Sequence, residues 1–554
     1  ISYHGDALDE KTGLLRSNEA LSERAVKLLR TIGDTSASHV TTTLGLEQEY
    51  FLVDRAWYAL RPDLVMCGRS LVGARPPKGQ QLEDHYFGSI PARAKTFMEE
   101  LEIELYRLGI PIKTRHNEVA PSQFELAPIF ESVNIASDHN TLTMETMKRV
   151  ASRHGMLCLI HEKPFAGING NGKHCNWSVS NDKGENLLEP GRTPHQNLRF
   201  LAVLAVVLKA VHSQAAALRA SIASPGNDHR LGGNEAPPAI LSVLLGSQLS
   251  KIYEDIEKGA ASSATEGQLI NLGVSHLPDI SKDYTDRNRT SPFAFTGNKF
   301  EFRAVGGSAN VAIPLTFLNA AVARAFTECA ERLKTLIGKK GARDEGVMEL
   351  VRELAKETRA IRFEGNNYSD EWKAEATKRG LPILPSTVEA LEVLDDKKQI
   401  EFLVQTKVLT AQEIHSRYHV AVERYNKTLE IEFHTLIQMV HGYVIPAIEE
   451  QVSRSGDALA KIPEGTAKKL QAQRLEKLSG IFGDLLQSLE SLEAALDTHS
   501  AEKDESKKMH QWKYTVTPLA DQVRAASDAA EIVISEDLWR LPKYREMLFN
   551  ISIT

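Results

Sequence analysis

The chain has 554 residues, of which 42% are hydrophobic and 25% are charged, a composition typical of a globular protein with a large core and more than one domain. Its formal net charge of -7 argues against a general nucleic-acid-binding protein, because such proteins present a dense basic surface. The four cysteines form no CxxC pair, which argues against a disulfide framework and favours reduced thiols in the cytoplasm. The longest apolar run, 200–208, is too short to cross a bilayer and predicts a buried helix.

The chain divides into four segments that differ in composition and in predicted secondary structure. Residues 1–40 are polar and partly amphipathic, and we expect an N-terminal remnant or linker because the chain begins as if in the middle of a longer protein. Residues 41–341 alternate strand-like runs with helices and glycine-rich loops, and predict the domain that carries the chemistry. Residues 342–455 predict a helical continuation of that domain, and 456–554 predict a C-terminal helical hairpin and tail.

The clearest periodicity lies in the last hundred residues. Apolar side chains recur alternately three and four residues apart, the spacing of a heptad seam on one helix face. A further helix over roughly 519–534 is expected to fold back on the first, and packing within the chain is favoured over a separate coiled-coil dimer. The seam consists of Leu475, Leu478, Phe482, Leu485, Leu489, Leu492 and Leu496.

Two glutamates interrupt the run 43–53, which otherwise has the composition of a buried strand. Residues two apart on a strand share a face and lie about 7 Å from each other, so Glu47 and Glu49 point the same way. Like charges held close together away from water repel each other and need a cation or a proton nearby. An exposed strand face is the alternative interpretation of this segment taken alone.

The segment 298–303 shows a related pattern. Its two phenylalanines are expected to face the core of the protein, because residues alternate between the two faces of a strand. Lys299, Glu301 and Arg303 then line the opposite face. A surface ladder of alternating charges explains this segment equally well in isolation.

Two more segments carry side chains suited to metal binding. In 117–126, Glu118 and Glu125 are seven residues apart with a Pro-Ser break between them, and the alternative is a strand–turn–strand with incidental acids. The segment 169–174 predicts a glycine-broken loop that carries one imidazole, His174. A lone histidine is usually structural, and a short glycine-rich loop is by itself a weak phosphate signal.

Together these segments offer five glutamates and one histidine, a set dominated by hard oxygen donors. Such a set suits Mg²⁺ or Mn²⁺ better than structural zinc, which prefers thiolate and imidazole ligands. Six ligands are enough to hold two or more ions near one another, as a clamp for phosphoryl oxygens. The basic residues that accompany them are Arg230, Arg287, Arg289, Lys299 and Arg303.

In these same segments the chain resembles glutamine synthetase, and specifically the long type III enzymes, from about residue 41 to the C-terminus. Five blocks occur in the order of the family, a specific signal although each block alone would be weak. The stretches 76–90 and 364–372 resemble type III in particular. The five blocks are GLEQEYFLVD (45–54), NEVAPSQFELAP (117–128), NGNGKHCNWS (169–178), RLGGNEAPP (230–238) and NRTSPFAFTGNKFEFR (288–303).

The resemblance implies an α+β fold of the glutamine synthetase/guanidino-kinase type, with a curved antiparallel sheet flanked by helices and a C-terminal helical region. It also implies two or three Mg²⁺ or Mn²⁺ ions per site and ATP as co-substrate. The ligands implied for the ion beside the glutamate substrate are Glu49, Glu118 and Glu125. Those implied for the ion that bridges the ATP phosphates are Glu47, His174 and Glu301.

Further roles follow from the resemblance. Glu235, in a glycine-flanked loop, matches the acid that closes the site and takes a proton from ammonium. Asn169 and Gly170 match the loop that contacts the amino acid. Arg230 and Arg303 match the cations that hold its carboxylates or the transferred phosphoryl group. The implied nucleotide contacts are Arg289, Lys299, Asn176 and Ser178.

The implied reaction is ATP-dependent ligation of ammonia to L-glutamate through γ-glutamyl phosphate, in nitrogen assimilation. A γ-glutamyl-amine (polyamine) ligase would use the same phosphorylation step with another amine. A non-catalytic, synthetase-like assembly protein would be expected to lose metal ligands, and this chain retains all six. The expected partners are glutamate, ammonia and ATP, with no nucleic acid and no membrane. The expected assembly is a homo-dodecamer of two stacked hexameric rings.

The chain departs from the family pattern in places. The Glu118–Glu125 spacing is one residue shorter than in the common bacterial type, and Asn176 stands where that type has a second histidine near ATP. An arginine usually found shortly after Arg289 is replaced by the SPFAF run, which puts the nucleotide contacts in doubt. The N-terminal β-grasp domain, which in the family completes the site of the neighbouring subunit, is not visible in the sequence, and no adenylylation-site tyrosine can be placed.

Overall fold

The structure is a computed structural model that describes residues 2–259, 269–270, 280–281 and 290–552. Within these residues the strands form one large sheet and a separate two-stranded ladder, β8–β9. In chain order the strands are β1 (Val40–Asp54), β2 (Ile112–Asn117), β3 (Gln123–Pro128), β4 (Glu131–Ser132), β5 (Met156–Leu159), β6 (Gly172–Asn181), β7 (Val243–Leu244), β8 (Leu269–Ile270), β9 (Ile280–Ser281), β10 (Phe293–Phe295) and β11 (Phe300–Gly306).

Helices flank the sheet and build the C-terminal part of the chain. None of those described is both long and apolar enough to cross a bilayer. In chain order they are α1 (Glu10–Ile32), α2 (Arg55–Ala59), α3 (Pro62–Cys67), α4 (Ala92–Arg107), α5 (Val133–Arg153), α6 (Leu198–Ser213), α7 (Ala215–Ala220), α8 (Pro225–Arg230), α9 (Ser247–Lys258), α10 (Ala312–Lys340), α11 (Arg343–Glu357), α12 (Asp370–Lys378), α13 (Thr387–Glu392), α14 (Lys397–Gln405), α15 (Ala411–Met439), α16 (Ile445–Lys461), α17 (Thr466–His499), α18 (Glu505–Gln511), α19 (Thr517–Val533) and α20 (Tyr544–Phe549). Short π turns lie at Val440–Val444 and Trp512–Val516, and 3₁₀ turns lie at Pro194–Gln196, Arg359–Ile361 and Asn550–Ser552.

The strand order of the large sheet is β2-β3-β1-β6-β11-β10-β7, and β4 and β5 also pair with β1. The predicted α+β class, a sheet flanked by helices with a helical C-terminal region, is confirmed. The sheet is mixed rather than wholly antiparallel, because β7 and β10 run parallel. A parallel pair needs a long crossover connection, and the chain between β7 and β10 provides one.

Strand β1 is the centre of the sheet, and its apolar residues are buried on both faces. Tyr50 and Leu52 enter one cluster of buried residues with Phe97. Phe51 and Val53 enter another, on the face that Glu47 and Glu49 share. Charged side chains are costly on a strand that is covered on both sides, so the two glutamates need a specific explanation.

Helix α10 packs against both α1 and α6 beside the sheet. Residues 200–208 in α6 are all buried, as predicted. Helix α1, within the segment expected to be a remnant or linker, begins at the Asp9 N-cap and ends at Gly33 in the left-handed conformation (φ 108°). It buries Leu14, Leu21 and other apolar residues, so it belongs to the main core.

The predicted seam near the C-terminus lies on α17, and α17 packs against α16 and α19. Packing of the seam within the chain agrees with the prediction. The second helix of the expected hairpin, α19, spans residues 517–533 rather than 519–534. The buried members of the seam are Leu478, Leu485, Leu489, Leu492 and Leu496.

After α19 the chain returns to the central sheet. Met547 and Leu548 on α20 are buried in the same cluster as Phe51 and Val53. The Ser122 hydroxyl donates a hydrogen bond of 2.7 Å to the carbonyl oxygen of Leu548. Helix α20 of the C-terminal tail (residues 541–552) therefore covers the same face of β1 that carries Glu47 and Glu49, while Ile551 packs with Tyr50 and Leu52 on the other face.

A fully buried ion pair fixes this tail. The guanidinium of Arg61 donates 2.9 Å from Nε to Oδ1 of Asp63, and its Nη2 approaches Oδ2 to 2.5 Å. Its Nη1 donates to the carbonyl oxygen of Pro542 at 2.8 Å. Because both charges are buried, each depends on the other and on these backbone partners for its stability.

We expect Met547→Ala to lower the free energy of unfolding by about 2–5 kcal/mol, the usual range for truncating a fully buried side chain. Met547 is fully buried, and its loss leaves a cavity between the tail and β1. Urea unfolding followed by circular dichroism measures the change. Met66→Ala is the matched control, because Met66 is 64% exposed, and we expect a change within about 0.5 kcal/mol there. Equal effects of the two substitutions would contradict the role of the tail.

Candidate active site

The register of the sheet brings predicted site residues side by side. Glu47 on β1 pairs with His174 on β6, and Glu49 pairs with Glu125 on β3. Glu301 on β11 pairs with Asn176 on β6. Asn176 shares a face of β6 with His174, because residues two apart on a strand point the same way. Five side chains from four neighbouring strands therefore project from one face of the sheet.

The sixth predicted ligand, Glu118, directly follows β2 in a tight turn. Its N–H donates to the carbonyl oxygen of Gln123 at 2.9 Å and closes the turn into β3. Ser122 in this turn has φ 59°, a conformation that costs a non-glycine residue energy. The hydroxyl of Ser122 bonds Leu548, so the C-terminal tail supports the turn that joins Glu118 to Glu125.

All six side chains predicted as metal ligands line a single cavity of about 690 Å³. The cavity is formed where the face of the sheet meets the loops before β6 and after α8. Residues predicted for substrate, phosphate and proton transfer line the same cavity: Asn169, Gly170, Arg230, Glu235, Lys299 and Arg303.

Two glycines in the block 169–178 are required by close approach. A Cβ atom at Gly172 would lie 2.0 Å from Nη2 of Arg230, and one at Gly170 would lie 2.1 Å from the carbonyl oxygen of Glu162. Gly172 thus lets Arg230 reach the cavity. The prediction that His174 sits in a loop is wrong, because β6 begins at Gly172 and pairs with β1 and β11.

Three carboxylates meet at one end of the cavity. Burial raises the pKa of Glu49 to about 7, with the Glu125 carboxylate acting in the same direction and Arg230 against it. Burial, together with the charges of Glu49 and Glu125, raises the pKa of Glu118 to about 9. This end of the cavity therefore holds more negative charge than its surroundings neutralise.

Beside these three carboxylates, the charge of Glu47 is balanced by His174. His174 Nδ1 lies 2.9 Å from Glu47 Oε2. Burial alone would raise the pKa of Glu47, but the hydrogen bond and charge of His174 lower it to about 2. Burial alone would lower the pKa of His174, but its bond to Glu47 raises it to about 9. The two side chains form an ion pair.

Basic side chains gather around Glu301. Arg303 donates from Nε and Nη2 to Oε2 of Glu301, at 3.0 and 2.9 Å. Thr296 Oγ1 donates to Oε1 at 3.0 Å, and Lys299 Nζ lies 3.9 Å from the same oxygen. Arg230 Nη2 donates to the backbone carbonyl of Arg303 at 3.0 Å. Arg303 and Lys299 thus place positive charge at Glu301, while Arg230 also lies close enough to Glu49 to act against the rise of its pKa.

Glu235 lies on the loop after α8, and its carboxylate faces the cavity. Asn169 Nδ2 donates to Glu235 Oε2 at 2.7 Å. Asn234 and Glu235 have φ of 50° and 67°, so two consecutive non-glycine residues occupy the sparsely populated left-handed region. Tyr368, in one of the two type III stretches, donates from its hydroxyl to the carbonyl oxygen of Ala236 at 2.8 Å and holds this loop.

The other type III stretch, 76–90, also reaches the site, which sequence reasoning missed. Gln80 Nε2 donates to Asn169 Oδ1 at 2.9 Å, and the Asn169 N–H donates to Gln80 Oε1 at 3.0 Å. Tyr86 lines the cavity. The stretch had been noted for its resemblance alone, because nothing local in a loop sequence reveals which residue it will contact.

Sequence reasoning also missed His116. Its imidazole lines the cavity, with Nε2 2.9 Å from Glu125 Oε1 and Nδ1 3.4 Å from Glu118 Oε1. The hydrogen bond to Glu125 raises the pKa of His116 to about 9. A sequence signal for His116 exists: it stands two residues before Glu118, and Glu47 and Glu49 have the same spacing.

Some predicted nucleotide contacts lie beside the cavity rather than in its lining, with Asn176 Nδ2 donating to Glu47 Oε1 at 2.9 Å, and others fall outside the described residues. Asn176 and Ser178 follow on β6 but are not among the described residues that line the cavity. The hydroxyl of Ser178 lies 2.8 Å from Asn186 Oδ1. Arg287 and Arg289 fall outside the described residues. The nucleotide role of these residues stays a prediction.

Comparison with protein families defines the class of this fold and site. Residues 23–240 match the family model described as the glutamine synthetase catalytic domain. Residues 346–462 match the one described as the glutamine synthetase C-terminal domain. The two matched regions contain most of the cavity and the helices from α11 to α16. Both models describe glutamine synthetase domains, so the chain belongs to a class of ligases.

Individual relatives match almost the whole of this chain. A type-3 glutamine synthetase of Dictyostelium discoideum is 43% identical over 99% of this chain and 75% of its own length. A glutamine synthetase of Bacteroides fragilis is 43% identical over 99% of this chain and 77% of its own. A solved structure titled "Apo GmaS without ligand" superposes with a TM-score of 0.43 and 16% identity over 74% of each chain. The chain belongs to the glutamine synthetase family, in its type III branch.

The three carboxylates predict how stability depends on pH and metal ions. An unfolded glutamate titrates near 4.5, so above this pH the ion-free folded protein binds more protons than the unfolded chain, and its stability falls as pH rises toward about 9. Divalent ions relieve the repulsion, so we expect Mg²⁺ to raise the melting temperature more at pH 8.5 than at pH 6. Thermal melts with EDTA or Mg²⁺ measure this.

Glu118→Gln removes one of the three repelling charges and should flatten the pH dependence of the melting temperature in EDTA. Glu464→Gln is the control, because the side chain of Glu464 is 87% exposed and lies outside the cavity. If Glu118→Gln and Glu464→Gln kept the same pH dependence as the unsubstituted protein, the assigned repulsion would be wrong.

Proposed function

We propose that this chain joins ammonia to the side-chain carboxylate of L-glutamate, with ATP as phosphoryl donor and γ-glutamyl phosphate as intermediate, in nitrogen assimilation. The observation that carries the proposal is the convergence of five glutamates and His174 in one cavity with three basic side chains. Membership of the glutamine synthetase family supports the same reaction. A carboxylate accepts ammonia poorly until it is converted to an acyl phosphate, and that conversion needs a site of this composition.

The donor set fits divalent ions. Carboxylate oxygens dominate it, as Mg²⁺ and Mn²⁺ prefer, and the uncompensated charge near Glu118 favours cations there. We assign two or three ions per site, which when bound would neutralise and orient the phosphoryl oxygens. The residues that would hold the ion beside glutamate are Glu49, Glu118 and Glu125. Those that would hold the ion beside the ATP phosphates are Glu47, His174 and Glu301.

The remaining residues bind and orient the two anionic substrates. Arg230 and Arg303 are nearly buried, so their charges act with little screening by water on a carboxylate or a phosphoryl group. In phosphoryl transfer, positioning and charge neutralisation provide almost all of the rate enhancement. Asn169 and Gly170 are assigned to the amino acid. The nucleotide contacts are assigned to Lys299, Arg289, Asn176 and Ser178.

Glu235 is assigned to the second half-reaction. Its carboxylate takes a proton from ammonium, and the free ammonia attacks the acyl phosphate and releases phosphate. The loop that carries Glu235 excludes water, which would otherwise hydrolyse the intermediate. Two consecutive residues with positive φ hold this loop in a sparsely populated backbone conformation.

We extend the proposal to the assembly and its location, which the family resemblance implies. The full-length protein forms a cytoplasmic homo-dodecamer of two stacked hexameric rings. Light scattering measures the molar mass in solution, and a stable monomer of the full-length protein would contradict the assembly.

A phosphate-release assay with ATP and Mg²⁺ tests the reaction. We expect phosphate only when glutamate and ammonia are both present. Equal or faster release with a polyamine in place of ammonia would favour the γ-glutamyl-amine ligase. No release with any amine would favour a non-catalytic assembly protein.

Glu301→Gln and His174→Ala are each expected to abolish Mg²⁺-dependent turnover, because each removes a ligand of the ion assigned to the ATP phosphates. Circular dichroism should show that the fold stays largely intact, since both side chains face the cavity rather than the core. His139→Ala is the matched control, with an imidazole that bonds Glu131 2.7 Å away and outside the cavity. Undiminished turnover in either site variant would remove that metal assignment.

Gln80→Ala should raise the KM for glutamate about tenfold and leave the KM for ATP nearly unchanged. Both hydrogen bonds that fix Asn169 to the 76–90 stretch are lost, and one or two such bonds contribute on the order of 1–2 kcal/mol. Initial-rate kinetics measure both constants. Gln81→Ala is the control, because Gln81 is exposed and its side chain bonds Gly79 within its own loop. A change in kcat alone would show that Gln80 does not position the amino-acid loop.

A further inference from the structure

We propose that His116 is an additional ligand, through Nε2, of the divalent ion assigned to Glu118 and Glu125. The inference rests on the proposed function, since it places the imidazole on one of the ions assigned there. One donor atom from each of these three side chains lies within 4.8 Å of the others. This grouping is distinct from the family ligand set, in which the only imidazole is that of His174.

The backbone sets which nitrogen of His116 carries the proton. Nδ1 lies 3.0 Å from the carbonyl oxygen of Asn117. A carbonyl oxygen only accepts hydrogen bonds, so Nδ1 is the donor and carries hydrogen. In the neutral imidazole this leaves the lone pair on Nε2, the usual arrangement by which a protein orients a metal-binding histidine.

The position of Nε2 fits a shared ion. It lies 2.9 Å from Oε1 of Glu125. Neighbouring ligands of an octahedral ion with bonds of about 2.1 Å are roughly 3 Å apart, so one ion can contact both atoms without a change in their separation. A nitrogen lone pair and a carboxylate oxygen at this distance require a cation or a proton between them.

The surroundings of His116 hold the ring toward the cavity. Thr114, His116 and Glu118 occupy alternate positions along the chain and all three line the cavity. The ring of Tyr86 packs edge-on against the imidazole, with centroids 6.4 Å apart. An imidazole beside carboxylates suits Mn²⁺ better than Mg²⁺, which prefers oxygen ligands alone. His116 therefore tunes this ion site toward Mn²⁺.

Binding of Mn²⁺ to the full chain, followed by electron paramagnetic resonance, tests the proposal without turnover. We expect His116→Gln to lower the Mn²⁺ affinity of one class of sites tenfold or more. The Mg²⁺ affinity of the same sites, measured by competition with Mn²⁺, should fall less. His154→Gln is the matched control, because His154 bonds Glu100 at 2.6 Å away from the cavity. Equal Mn²⁺ affinities for the unsubstituted chain and the His116→Gln chain would overturn the proposal.

Electron spin-echo modulation from a bound imidazole nitrogen separates ligation from hydrogen bonding. In a His174→Gln chain the nitrogen modulation should remain, and adding His116→Gln should remove it. If the modulation is already gone in His174→Gln alone, His116 only positions Glu125 and the proposal fails. His116→Asn serves as a second variant if circular dichroism shows that the glutamine variant is misfolded. Failure of the unsubstituted chain to bind Mn²⁺ at all would instead overturn the proposed function.

Discussion

Repulsion among three carboxylates, those of the half-buried Glu49 and the buried Glu118 and Glu125, is the constraint on which the rest of this structure depends. The sheet holds all three at one end of a cavity, where burial raises the pKa of Glu49 to about 7 and that of Glu118 to about 9. Arg230 and His116 offset only part of this charge. A chain keeps such an arrangement only where the surrounding fold fixes it.

The surrounding fold holds the three carboxylates in place in three ways. Antiparallel register across β3, β1, β6 and β11 sets which side chains share a face, and a shift of one residue would turn each of them to the other side. The C-terminal tail covers the adjacent part of β1 and bonds Ser122 in the turn between Glu118 and Glu125. The two type III stretches hold the loops of Asn169 and Glu235. These supports come from parts of the chain that are hundreds of residues apart.

Much of the fold was predictable where the pattern is local. The strand that carries Glu47 and Glu49, the buried helix over 200–208 and the helical seam near the C-terminus each follow from residue spacing along one element. The α+β class came from the resemblance to the glutamine synthetase family. The position of His174 was predicted wrongly, because glycines in 169–174 indicate a loop, whereas they are needed where Arg230 approaches the strand closely. A close approach is invisible in the sequence.

The sequence by itself determined the chemistry of this protein: an excess of hard oxygen ligands, a few basic side chains beside them, and five motif blocks in family order. Those properties depend on residue type and local spacing, which a sequence states directly. Only the tertiary structure decided that Gln80, Tyr86 and His116 join the site and that residues 541–552 return to support it. Such contacts depend on where distant segments meet, and the packing of the whole chain sets that meeting rather than any local preference.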